Sequence, residues 1–158
     1  MEKRYSYEFA MKEYKKLEEY LREKGYSCEP SGSLRRKRED VGDIDFLVKG
    51  KRDEILSVVE GYPEVEGKIN KYEFRLKSGI DIHTIPETED KYNYTLWQST
   101  GPKKHVKWIK ELYREKNIEL KRSNIDEGEV YSGIGIGYIL PEERYLHLEE
   151  KDDKKRKD

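Results

Sequence analysis

Residues 30–48 read PSGSLRRKREDVGDIDFLV, and how this stretch is read decides the fold. Its second half alternates as a strand over 43–48 would. Ile44, Phe46 and Val48 fall on one face and Asp43 and Asp45 on the other, because successive side chains leave a strand in opposite directions. Two carboxylates at i and i+2 repel each other and are costly to desolvate, so they call for solvent, cationic partners or a divalent metal. Magnesium takes oxygen ligands from one or two carboxylates together with phosphate oxygens and water, and a pair of such ions can serve both the attacking and the leaving oxygen of a phosphoryl transfer. The first half of the stretch supplies the phosphate side. Gly32 and Ser33 lead into a short basic helix near 33–38, where backbone N–H groups, Arg35 and Arg36 would meet an anion. Alone, GSLRRKR reads as a capped helix with a solvated basic face, and DID as an exposed strand edge. Their order in one chain points to phosphate chemistry.

Outward from that stretch, Tyr7, Ala10, Met11, Tyr14, Leu17 and Leu21 recur at helical spacing and EKGY at 23–26 stops them, which predicts a packing helix over 5–24. CEPSGS at 28–33 reads as a loop. A helix is expected at 51–60, ended by GYP, and then KINKYEFRLKSGIDIHTIP at 68–86 reads as two strands joined by a tight turn at 77–79. The second of these strands carries Asp81 and His83 on a common face, and Asp81 would be a third metal ligand. Helices are predicted at 90–99 and 103–117, a small strand-and-loop unit at 118–148, and a disordered charged tail at 149–158. No internal repeat is present.

Composition sets the bounds. At 158 residues the chain suits one core with a small appendage, but 34% hydrophobic against 42% charged residues leaves that core lean, so thirteen tyrosines must supply much of the burial. The net charge of −1 gives no global field toward nucleic acid or membrane, and any such attraction must be local. A lone cysteine, Cys28, excludes an internal disulfide and a cysteine-built zinc site, which suits a reducing compartment. No apolar run approaches a membrane span, and MEKRYSYEF lacks the apolar core of a secretory signal. A soluble intracellular protein, cytoplasmic or virion-associated, is expected, without membrane partners.

The combination of Gly-Ser, a short helix, an Asp-x-Asp strand and a later third Asp resembles the signature of the polymerase beta-like nucleotidyltransferase superfamily. GSLRR…VGDIDFLV is most similar to the X family of DNA polymerases. Two downstream stretches agree with that family's thumb in content and order: STGPKKHVKWIKELYREKNIEL, with its Thr-Gly opening a helix, and EVYSGIGIGYILPEERY. The resemblance covers about residues 28–146 and implies an α+β fold, a nucleotidyltransferase palm with a small C-terminal thumb, divided as 1–97 for the N-terminal helix and palm and 98–148 for the thumb.

By that resemblance Asp43 and Asp45 bind two Mg2+ ions, for which Mn2+ can substitute, and Asp81 holds the catalytic ion and helps deprotonate a primer 3′-hydroxyl. Gly32, Ser33 and Arg36 hold the β and γ phosphates of the incoming nucleotide, and Gln98, Ser99, Thr100 and Gly101 lie under its sugar and base. The chain also departs from the family. The 27 residues before Cys28 are expected to hold neither a lyase domain nor a helix-hairpin-helix finger domain. Gln98 and Ser99 stand where aromatic residues usually precede the Thr-Gly turn, Val106 where an asparagine contacts the base, and Lys110 where an arginine follows.

Lys103, Lys107, Lys110 and Arg114 lie within about 60° of one another at 100° per residue, while Val106, Ile109, Leu112 and Tyr113 gather on a separate face. Residues 100–122 carry eight Lys or Arg against three Glu, and 123–150 carry seven acidic residues against one basic. A basic stripe of this kind often marks a solvated helix face; in a polymerase-like thumb it runs along DNA. Trp108 is expected to pack, and His105 and His147 to lie on the surface. The reading is a monomeric, magnesium-dependent, template-directed DNA polymerase for short-gap repair synthesis, acting on primer-template or gapped DNA with nucleoside triphosphates. The alternatives are template-independent nucleotide transfer to nucleic-acid ends or to a protein, and a non-catalytic DNA-end-binding module.

Overall fold

A computed structural model describes residues 3–145. A two-residue strand, β1 (Tyr5–Ser6), leads into α1 (Tyr7–Glu23). The Ser6 hydroxyl accepts the Phe9 N–H at 3.1 Å and so caps the helix start. Ala10, Tyr14, Leu17 and Leu21 are fully buried along one stripe, as the helical spacing required. The chain leaves the helix through Gly25, whose φ of +90° suits a residue without a Cβ.

The central sheet has five strands: β2 (Cys28–Pro30), β4 (Ile44–Lys49), β7 (Asp81–Glu87), β6 (Glu73–Leu76) and β5 (Val65–Lys68), in that spatial order. β4 and β7 run parallel, and the other pairs are antiparallel. Ile44, Phe46 and Val48 pack with Leu17 and Leu21 of α1 and with Ile55 and Val59 of α3 (Arg52–Glu60) in the main core. The opposite face of β4 is covered locally, where Leu47 meets Tyr92 and Leu96 of α4 (Tyr92–Thr100). Lysine-rich α5 (Lys103–Glu115) and α6 (Glu127–Ser132) build a second core around Trp97, Ile109, Val130 and Tyr131. Helix α4 thus joins the second core through Tyr94 and Trp97, covers β4 through Tyr92 and Leu96, and spans the expected border at residues 97–98.

Several expectations need correction. The basic helix is a single turn, α2 (Gly32–Arg35), because Lys37 takes φ +57° and turns the chain into β3 (Asp40–Val41), which pairs with β1. The start of the supposed loop CEPSGS is the edge strand β2, and Pro30 is tolerated there because one side of an edge strand needs no donor. β5 was masked by its charge and its bulge between Val65 and Gly67. The described part of 118–148 contains no strand. There the Ile-Gly alternation imitates strand periodicity, but Gly135 at φ +76° breaks it, and Asp126 and Glu129 form a capping box that starts α6 instead. The predicted tail and His147 lie outside the described residues. Among those residues no helix is long and apolar enough to cross a membrane.

Candidate active site

Parallel pairing of β4 with β7 sets Ile44 beside Ile82 and Asp45 beside His83. One step earlier come Asp43, just before β4, and Asp81, the first residue of β7. Both line one cleft of about 510 Å³, together with Gly42, Glu73, Arg75 and Gly79. Asp45 points to the adjoining side, where its Oδ1 lies 3.1 Å from His83 Nδ1. Asp43 and Asp81 thus face one cleft, and Asp45 lies at the same end of the β4–β7 pair without lining that cleft.

The single-turn helix is fastened to the same edge. Ser31 N–H donates to the Asp45 carbonyl at 2.8 Å, and Gly32, at φ +57°, presses its backbone against the Asp45 side chain. A Cβ on Gly32 would overlap Asp45 Oδ2. Only glycine allows this approach, so the conformation of the turn at Gly32 and the position of the Asp45 carboxylate are one feature.

Basic side chains meet two of the carboxylates. Arg75 donates from Nε to Asp81 Oδ1 at 2.9 Å and from Nη2 to Oδ2 at 3.3 Å. His83 has its pKa raised, chiefly by the hydrogen bond to Asp45; burial opposes this, and the charges of Asp45, Glu73 and Asp43 add to it. Among the described residues, no three carboxylate, imidazole or thiol groups already surround a point that could hold a metal ion. The donor chemistry nevertheless fits a hard divalent cation: carboxylate oxygens at one end of the β4–β7 pair, a cradle at Gly32 that a Cβ would fill, a guanidinium already on Asp81 and an imidazole on Asp45. A cation there would take over the role that Arg75 and His83 fill in this arrangement.

The two arginines of α2 and its C-cap have separate partners. Arg36 donates to the Thr100 carbonyl, and burial lowers its pKa. Arg35 donates to the Thr100 hydroxyl at 2.9 Å and grips Glu127 with both Nη atoms, at 2.6 and 3.0 Å. Glu127 also accepts from Arg144 Nη2 at 2.8 Å and from the Tyr138 hydroxyl at 2.6 Å. Burial pushes the Glu127 carboxyl up, but the Arg35 hydrogen bond, the Arg144 and Arg35 charges and the Tyr138 hydroxyl outweigh it and leave its pKa lowered. Sequence reasoning missed Glu127, Tyr138 and Arg144. The available signal was Arg144 itself, the single basic residue in the acidic stretch 123–150.

Gln98 and Ser99 line a larger cleft of about 600 Å³, bounded by His83 and Thr84 of β7 and by Lys103, Val106 and Lys110 of α5. His83 thus faces both the aspartates and this space. Gln98 Oε1 accepts from the Tyr94 hydroxyl at 2.8 Å and from Lys110 Nζ at 3.0 Å. Thr100 is fully buried, its hydroxyl donating to the Leu96 carbonyl at 2.6 Å, and Gly101 follows at φ +65°. Arg52 of α3 and Tyr72, just before β6, complete the lining of the cleft and were not singled out from sequence. Along α5, Lys103, Lys107 and Arg114 are exposed and Lys110 is half-buried.

His105 is not a surface residue. It is fully buried, with Nε2 at 2.9 Å from the Tyr131 hydroxyl, which also receives the Trp97 indole N–H at 3.0 Å. The reason is periodicity: His105, Ile109 and Tyr113 recur every four residues on the buried face of α5. Trp108 packs partly buried against the same core, as expected.

The mixed five-stranded sheet, with its helices and its aspartate edge beside a glycine-bent loop, is consistent with a polymerase beta-like palm. No family model matches the chain. The chain is similar to the DNA polymerase/3′-5′ exonuclease PolX of Bacillus subtilis (strain 168), at 23% identity over 159 aligned residues, which cover 86% of this chain and 28% of that protein. The resemblance to X-family DNA polymerases read from the sequence is thus borne out as a distant relationship. The chain spans little more than a quarter of its relative's length.

Proposed function

We propose that this chain is a nucleotidyltransferase that extends a DNA primer on a template, using nucleoside triphosphates and two divalent metal ions. One observation carries the reading. Asp43 and Asp81 open onto a single cleft, while Asp45, at the same end of the β4–β7 pair, abuts the glycine-bent loop that would receive phosphates. Asp43 and Asp45 would hold both ions and Asp81 one of them. When bound, such ions neutralise charge at the phosphates and lower the pKa of the attacking hydroxyl.

The protein's own part is alignment. Gly32 and Ser33 offer backbone N–H groups to the terminal phosphates, and Arg36, braced on the Thr100 carbonyl, adds charge beside them. Asp81 orients the primer 3′-hydroxyl toward the α phosphorus and takes up its proton. As the new O–P bond forms, the bond to the bridging oxygen breaks and pyrophosphate leaves. Holding the two reactants in line removes much of the entropic barrier. Gln98 and Ser99 border the sugar side, and Lys103, Lys107, Lys110 and Arg114 run along the nucleic-acid backbone. The polymerase relative supports nucleic acid and nucleotides as the substrate classes.

The test is extension of a labelled primer with and without template, in Mg2+ and in excess chelator. Template-dictated, metal-dependent extension supports the proposal. Extension that ignores the template would make the chain a template-independent transferase, and binding without extension would make it a DNA-end-binding module.

A further inference from the structure

Beyond the cleft that contains Ser99, a second groove of about 530 Å³ lies between α4, the C-terminal half of α5 and residues 118–122. Lys110 and Arg114 of α5 and Arg122 line it, against one acidic group, Glu119. Arg122 sits over the Tyr94 ring at 5.7 Å, a cation–π contact that holds its arm at the wall while the residue stays exposed. The floor is apolar: Ile118 is 43% exposed and Leu120 is half-buried. Lys110 lines this groove as well as the Ser99 cleft, and the Gln98 amide that it holds is shared with Tyr94, so the two spaces meet at one partition.

Three cations around exposed aliphatic surface match a single nucleic-acid strand better than a duplex. A duplex keeps its base faces stacked and offers the groove only phosphates, whereas a single strand offers phosphates and unstacked base faces together. The groove also continues the basic stripe of α5 away from the aspartate edge. We propose that it binds the single-stranded template ahead of the primer terminus, with phosphates on Arg114 and Arg122 and a base face on Ile118. This inference rests on the reading of the chain as acting on primed DNA.

The experiment is a fluorescence-anisotropy titration of the full chain with primer-templates whose template overhang is either one or ten nucleotides. In the wild-type protein the longer overhang is expected to tighten binding about ten-fold, as expected for a few phosphate contacts and one base contact. In Arg122→Glu combined with Ile118→Asp, shown folded by circular dichroism, that gain should shrink to about two-fold or less, while binding of the one-nucleotide substrate stays near wild type. Equal affinity of the wild-type protein for both substrates would overturn the groove and leave the polymerase reading standing. Equal losses on both substrates in the variant would also overturn it, since the groove would then be general electrostatics. Failure of the wild-type protein to bind either substrate would overturn both readings.

Discussion

Arg35 and Glu127, 92 residues apart in sequence, form a bidentate ion pair with N–O distances of 2.6 and 3.0 Å. The pair ties the one-turn helix after Gly32 to α6, and the fully buried Arg144 completes it from the chain's last described turn. Removing Glu127 would leave two guanidinium groups without their counter-charge in a largely buried site. Glu127→Ala is therefore expected to destabilise the fold by about 3–5 kcal/mol in urea denaturation. A loss below about 1 kcal/mol, the range of an exposed pair, would show that the network carries little.

The same carboxyl makes a pH prediction with a definite sign. Its folded pKa is depressed, so its contribution to stability is fully present above the unfolded value of about 4.3 and is lost as pH falls below that toward the folded value. The wild-type protein should lose stability through this acid window more steeply than Glu127→Gln. Parallel stability–pH curves for the two proteins below pH 5 would count against the assignment.

Gly32→Ala probes the contact between loop and carboxylate. The new methyl would meet Asp45 Oδ2 while the backbone holds φ +57°, a conformation that costs an L residue roughly 1–2 kcal/mol. The variant should fold, lose about that much stability, and lose nucleotide affinity and extension far more than the stability change alone explains. Wild-type activity in a folded Gly32→Ala protein would separate the loop from the aspartates.

On the proposed reading, sugar choice depends on what stands beside Ser99. Gln98 is held in place by Tyr94 and Lys110, so the wall has a fixed amide and a small hydroxyl instead of an aromatic ring. A site that merely admits an extra hydroxyl discriminates by about 10–200-fold. Ribonucleotide incorporation is expected to be measurable in steady-state extension, and Ser99→Tyr is expected to suppress it. A wild-type preference for deoxynucleotides above about ten-thousand-fold would instead mean that backbone atoms form the gate.

The elements legible in the sequence were those with unbroken periodicity. α1, α3, α5 and the β6–β7 hairpin follow from apolar spacing, and β4 from the alternation that sets Asp43 and Asp45 apart from Ile44 and Phe46. Asp81 could be matched to them because β7 is just as regular. β1, β2 and β3 were not legible, since two or three residues carry no period and their pairing is decided by distant partners, and β5 was hidden by its bulge between Val65 and Gly67. The Glu127 network was hidden for a related reason: an ion pair spanning 92 residues leaves no local trace in a chain where charged residues are everywhere. His105 was misjudged because its polarity outweighed its place on the Ile109 face. The basic partners of Asp45 and Asp81 were half legible. His83 shares a face with Asp81 by alternation alone, whereas the register that sets Arg75 opposite Asp81 within the expected hairpin is not written in the spacing.

The central claim is that Asp43, Asp45 and Asp81 act together in metal-dependent nucleotidyl transfer. The most direct measurement is the single-turnover rate of primer extension by Asp81→Ala at saturating nucleotide and Mg2+, with DNA affinity followed in parallel. Because Asp81 would act mainly on the transition state, the rate should fall by several orders of magnitude while the fold and DNA binding remain. An Asp81→Ala protein that extends primers at a near wild-type rate would contradict the account.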